Sequence, residues 1–138
     1  MNTLYEKDFY LWTVEQANLL RTGALSQLDI KNLLEEIEAM GRSEKRELRS
    51  RLTVLIMNLL KWDYQPEFRC KSWESTIQTQ RKEIEFVLND NPSLRQGLSD
   101  VILQAYPLSR LKASLETGMS ESTFPESCPY TIEQILGE

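Results

Sequence analysis

Apolar residues recur at intervals of three and four along almost the whole chain, and alternation with a period of two never persists. Side chains spaced this way share one face of a helix, so the pattern predicts amphipathic helices throughout. The first runs from about Asp8 to Arg21, with Phe9, Trp12, Gln16, Leu19 and Leu20 on a broad face and Gly23 as its stop. Asp29 is suited to cap a second, because a short carboxylate accepts from the free N–H groups of a first turn. Ile30, Leu33, Leu34, Ile37 and Met40 form the second helix's stripe, and Gly41 is expected to end it. Ser43 is the expected cap of a third helix reaching about Trp62. Leu48, Leu52, Leu55, Ile56, Leu59 and Leu60 make that helix the most apolar element and the expected centre.

Gln65-Pro66 breaks the pattern, and Ser72 is the expected cap of a fourth helix that ends near Asn89 and carries Trp73, Ile77, Ile84, Val87 and Leu88. Pro92 suits a first helical position, which places a fifth helix over about Pro92 to Thr117 with Gly97 interrupting its first turns. Leu94, Leu98, Val101, Ala105 and Leu108 lie along its apolar face. Pro107 lies inside this pattern; a proline there lacks an N–H and clashes with the preceding turn, so a kink or break near Tyr106 is expected. Gly118 stops the helix. Phe124 to Tyr130, with two prolines, reads as an extended segment, and Thr131-Ile132-Glu133-Gln134 has the form of a capping box opening a short last helix. The expectation is an all-α, single-domain bundle over residues 1–138, with about five main helices and a short C-terminal one.

Composition agrees with a globular chain of this length: 138 residues, 41% hydrophobic and 27% charged. Several chemistries are excluded. There is no histidine, so no Ser-His-Asp or Cys-His mechanism and no histidine-bearing metal site can be built from this chain. Two cysteines, Cys70 and Cys128, are too few for an all-cysteine zinc site. None of the five glycines falls in a phosphate-cradling motif. No apolar run approaches the length needed to cross about 30 Å of hydrocarbon, and the first residues do not read as a signal peptide, so a cytoplasmic location is expected.

Charge is segregated. Residues 1–40 carry three basic and seven acidic groups, residues 41–82 ten basic and five acidic, and residues 83–138 three basic and nine acidic. Glu35, Glu36 and Glu38 stand near the expected end of helix two, and Arg42, Lys45, Arg46, Arg49 and Arg51 at the start of helix three. On separate helices each cluster opposes its own dipole, by roughly 0.3–1 kcal/mol per charge at low salt. Pairing between the clusters within the chain would offset this. The alternative is that one cluster binds a partner: the basic one a phosphate or nucleic acid, the acidic one a basic protein. Nucleic acid is disfavoured by the net charge of -5.

Asn58, Gln80 and Arg81 interrupt apolar stripes, and polar groups beside a core must find partners. A network of Arg81 and Asn58 with Glu35 or Glu38 is the natural pairing, since guanidinium fits carboxylate bidentately. Such a pocket, with Trp73 beside it, is the candidate ligand site. Glu35, Glu36 and Glu38 alone offer too few ligands for a metal, so no metal, cofactor or catalytic residue is assigned.

The ordered motifs add a resemblance. Asp8-Phe9-Tyr10-Leu11-Trp12, Leu34-Glu35-Glu36-Ile37-Glu38 with Gly41-Arg42-Ser43-Glu44, and Leu59-Leu60-Lys61-Trp62 are followed by Tyr64-Gln65-Pro66, Ser72-Trp73 with Ile77 and Gln80-Arg81, Asn91-Pro92-Ser93-Leu94, and Phe124-Pro125 with Cys128-Pro129-Tyr130. Over almost its full length the chain resembles a bacterial, largely cyanobacterial family catalogued as domain of unknown function number twenty-nine. The resemblance implies a compact all-helical domain and no particular activity. It marks Glu35, Glu36, Glu38, Lys61, Trp73 and Arg81 as signature residues. Similar sequences often carry histidine where this chain has Asn58, a side chain that hydrogen-bonds but does not titrate. The functional expectation is a protein-interaction or regulatory module, dimeric and without catalysis. The alternatives are a metal- or phosphate-ligand site built from the Glu/Arg pocket, and nucleic-acid binding through the basic cluster.

Overall fold

A computed structural model describes residues 3–138, and they are all-α. Six helices follow in order: α1 (Leu4–Lys7), α2 (Phe9–Thr22), α3 (Ile30–Tyr64), α4 (Lys71–Asp90), α5 (Leu98–Thr117) and α6 (Ile132–Leu136). Single turns of 3-10 helix at Leu25–Gln27, Pro66–Phe68 and Glu121–Thr123, and a longer stretch at Pro92–Gly97, join them. The chain divides into two compact units, Met1–Ser43 and Glu44–Glu138.

The stops and caps fall largely where local chemistry puts them. Gly23 and Gly118 end α2 and α5 in the left-handed region, with φ of 77° and 75°. Thr131 and Gln134 form the reciprocal capping box of α6. Asp29 accepts from the Asn32 N–H at the start of α3.

Three boundaries differ from expectation. The largest difference is that Gly41 does not end a helix and Ser43 does not begin one: α3 runs unbroken for 35 residues. A glycine inside a helix costs about 1 kcal/mol, whereas a break would forfeit a full turn of backbone hydrogen bonds. Continuity also removes the dipole conflict. In one long helix Glu35, Glu36 and Glu38 lie near the N-terminus and the basic cluster lies mid-helix, where the dipole is weak. Ser72 does not cap α4, which starts at Lys71 after an extended Cys70 with no side-chain cap. Pro92 opens the 3-10 stretch ending at Gly97, and α5 starts one residue later.

In the unit Glu44–Glu138, Leu48, Leu52, Leu55, Ile56 and Leu60 of α3 are completely buried. They pack in one cluster with Ile84 and Leu88 of α4, with Leu98, Val101, Ala105 and Ala113 of α5, and with Phe124 and Ile135 of the tail. The central position expected for this segment is therefore observed. Ser109 is wholly buried, and its hydroxyl donates to the Thr53 carbonyl of α3 at 2.8 Å, a polar tie within the apolar layer. The extended tail is held by the Tyr106 hydroxyl on the Pro125 carbonyl, by Phe124 edge-on to Tyr64, and by the Tyr130 hydroxyl on Asp63 at 2.7 Å. Burial pushes the Tyr106 phenol up to about 12 and the Tyr130 phenol further still, where Asp63 adds to it.

In the unit Met1–Ser43, Trp12 and Gln16 are the buried residues of α2. Both reach Asp29: the Trp12 indole donates to its carboxylate at 3.0 Å, and the Gln16 carbonyl oxygen accepts its backbone N–H at 2.8 Å. Tyr5, Phe9 and Trp12 pack ring against ring. The expected burial of Phe9 and Leu20 is not found; both are exposed.

Pro107 lies on the exposed side of an α5 that is neither interrupted nor ended there. The missing N–H faces solvent, so no buried carbonyl is orphaned. Pro107→Ala restores that hydrogen bond and is expected to stabilise the protein by up to about 3 kcal/mol, read as a higher urea midpoint at unchanged slope.

Candidate functional site

The residues marked by sequence separate into three settings. Arg81, on α4, uses its guanidinium on the end of α6: Nε donates to the Ile135 carbonyl and Nη2 to the Gln134 carbonyl, each at 2.9 Å. The last carbonyls of a helix lack intrahelical partners and carry its negative dipole end, so a cation is well placed there. Gly137 leaves room for the contact: a Cβ at that position would lie a tight 3.1 Å from the Arg81 side chain. Backbone carbonyls thus stand in place of the carboxylate expected for Arg81. Asn58 is buried and closes on its own helix, donating to the Val54 carbonyl at 2.8 Å. Gln80 accepts from Arg51.

Lys61 and Trp73 form the second setting. Lys61 is 5% exposed, and its ammonium lies 2.8 Å from Glu116 and 5.0 Å from the centre of the Trp73 ring. A buried ammonium needs both compensations, because desolvating it unpaired costs several kcal/mol. Sequence reasoning placed Trp73 on the stripe of the fourth helix, found Lys61 only through the family resemblance and missed Glu116, which lies far along the chain. Leu59, Trp62, Glu74, Ile77, Gln78 and Arg81 line a cleft of about 320 Å³. Cys70 is exposed, and Arg69 beside it lies over the Trp62 ring at 4.8 Å and donates to the Trp62 carbonyl. Among the described residues no cluster of three or more cysteines or carboxylates is placed to hold a metal ion.

The third setting is the N-terminal half of α3. Ile30, Leu34, Ile37 and Met40, the apolar stripe expected on the second helix, are 68%, 56%, 61% and 66% exposed. They continue the periodic stripe that is fully buried at Leu48, Leu52 and Leu55 of the same helix. From Met40 to Glu47 every residue of α3 is exposed, two turns of helix with no buried side. Glu36 accepts from the Tyr5 hydroxyl, and this bond pushes the phenol up to about 12. Glu35, Glu38, Arg42, Lys45, Arg46 and Arg49 take part in no ion pair among the described residues. The expected pairing between the acidic and basic clusters within one chain is therefore not formed.

These observations define an all-helical protein with a filled core in one unit and an unfilled apolar helix face in the other. The chain belongs to the family described as domain of unknown function DUF29, whose model matches residues 4–138. No curated protein and no solved structure matches it.

Two measurements test the polar contacts. Asp29 accepts from Asn32 and Trp12, and these bonds hold its carboxyl below the usual carboxylate range. Its contribution to stability is therefore complete above the ordinary carboxylate pKa of about 3.9 and is lost as the pH falls through its own lower value. The Trp12 indole N–H resonance is expected to titrate in that acidic window and to stop titrating in Asp29→Asn. Glu116→Gln leaves the Lys61 ammonium with Trp73 alone and is expected to cost about 1–3 kcal/mol in urea unfolding. Adding Lys61→Met recovers most of that loss.

Proposed function

We propose that this protein is a non-catalytic protein–protein interaction module, and that its binding surface is the N-terminal half of α3. One observation carries the reading: the stripe that builds the core at Leu48, Leu52 and Leu55 continues through Ile30, Leu34, Ile37 and Met40 without being covered. Burying one such side chain gains about 1.5–3 kcal/mol. Four of them on one helix supply the apolar anchor that a helix-in-groove contact requires. The exposed Phe9, Tyr10, Leu11 and Val14 of α2 enlarge the apolar surface of this unit.

The charges flanking the stripe supply specificity. Glu35 and Glu38 precede Met40, Arg42 and Lys45 follow it, and all four are exposed and take part in no ion pair among the described residues. A polyanion would meet the acidic pair within one turn of the basic cluster, which favours a partner carrying both signs.

A photo-crosslinking residue at position 37 tests the surface in cells that produce the protein. A discrete protein adduct from position 37, absent from the same probe at exposed Ser93, is expected. Equal labelling at the two positions would remove the basis of the reading.

A further inference from the structure

We infer that the occupant of this surface is a second copy of the chain, paired antiparallel through α3 with a twofold axis near Gly41. The inference rests on the interaction reading above and names its partner. Counted at about 3.6 residues per turn, Glu35, Glu38, Arg42, Lys45 and Arg49 fall on one side of α3, next to the apolar stripe of Leu34, Ile37 and Gly41. This side is acidic for its first turn and basic for the next three. Two such helices side by side and parallel set carboxylate against carboxylate and cation against cation. Running antiparallel about Gly41, Glu38 of one copy faces Lys45 of the other and Glu35 faces Arg46 and Arg49, and the twofold repeats each pair. Apart from Arg42, which meets its own counterpart near the axis, the charges on this side of the helix are thus their own complement, a property that no ion pair among the described residues uses.

Two further features of α3 fit this crossing. Gly41 lies on the stripe at the point of closest approach, and a Cβ there would meet nothing within 4 Å. The space it leaves lets a second helix come near, since interaxial distance follows the size of the side chains at the contact. Residues 40–47 are all exposed, and among the described residues their side-chain hydrogen bonds are those of Glu44 with Asn91 and Glu47 with Arg51.

The test is solution mass, by light scattering or sedimentation, on the full chain and on charge-reversed variants whose helicity is checked by circular dichroism. The wild type is expected at twice 16.1 kDa and shifts toward monomer as NaCl rises from about 50 mM to about 500 mM. Glu35→Lys with Glu38→Lys, and separately Lys45→Glu with Arg49→Glu, are each expected to be monomeric at concentrations where the wild type is dimeric. All four changes in one chain restore the dimer, because the antiparallel pairs are then reversed on both sides. A wild type monomeric at every salt concentration overturns the second copy. If position 37 still crosslinks to a different protein, the interaction surface stands without it. Half-reversed variants that remain dimeric, or a fourfold variant that stays monomeric, overturn the antiparallel charge pairing.

Discussion

Everything distinctive in this molecule depends on the chain not breaking at Gly41. An α-helix propagates its register rigidly, so a hydrophobic stripe established in one stretch is carried into the next whether or not anything there covers it. From Leu48 onward the stripe meets α4, α5 and the tail and disappears into the core. Toward Ile30 the same spacing continues and stays exposed. Had the helix ended at Gly41, the acidic and basic clusters would have been helix ends in conflict with their dipoles, and a hairpin could have paired them. Continuity relieves that conflict and keeps the clusters collinear, about one turn apart at Glu38 and Arg42, where they are available to another molecule.

The packed unit is closed by contacts that a small number of polar groups make with backbone carbonyls. Arg81 on the end of α6, Ser109 on Thr53, Tyr106 on Pro125 and Arg110 on Phe124 all follow this form. Those of Arg81, Tyr106 and Arg110 satisfy carbonyls at the end of α6 or in the tail, and that of Ser109 adds a second bond to a carbonyl inside α3. A carbonyl acceptor does not depend on the identity of the residue supplying it, which lets an irregular tail be fixed without matching side chains. Lys61 is different: it needs a carboxylate, and Glu116 from α5 supplies one.

The helices were largely legible because their periodicity is local, and so were Gly23, Gly118, Asp29 and the Thr131 capping box, whose effects reach no further than one turn. Gly41 with Ser43 misled because a stop signal is only a modest local cost, and the surrounding Leu, Glu, Lys and Arg residues outweigh it. Arg81 was correctly marked as needing a partner, but the partner is a carbonyl more than fifty residues away, and a sequence carries no sign of which carbonyls end up free. The stripe from Ile30 to Met40 was legible as an apolar face but not as an exposed one, because spacing reports which side of a helix is apolar and says nothing of what lies opposite. The periodicity marked Trp73 and the resemblance to the family supplied Lys61, and the structure adds the ammonium–ring contact between them.

The two bare turns from Met40 to Glu47 have a thermodynamic character unlike the rest of the chain. Their amides are held by helical hydrogen bonds alone, and opening them uncovers almost no apolar surface that is not already wet. The free energy of that opening therefore has little heat capacity and little dependence on urea, whereas opening at Leu48, Leu52 and Leu55 has both. One continuous helix thus contains segments that melt under different laws. Cooling or mild denaturant, which weakens the core, leaves the bare turns nearly as they were, and a change in helix propensity there acts on them almost undiluted.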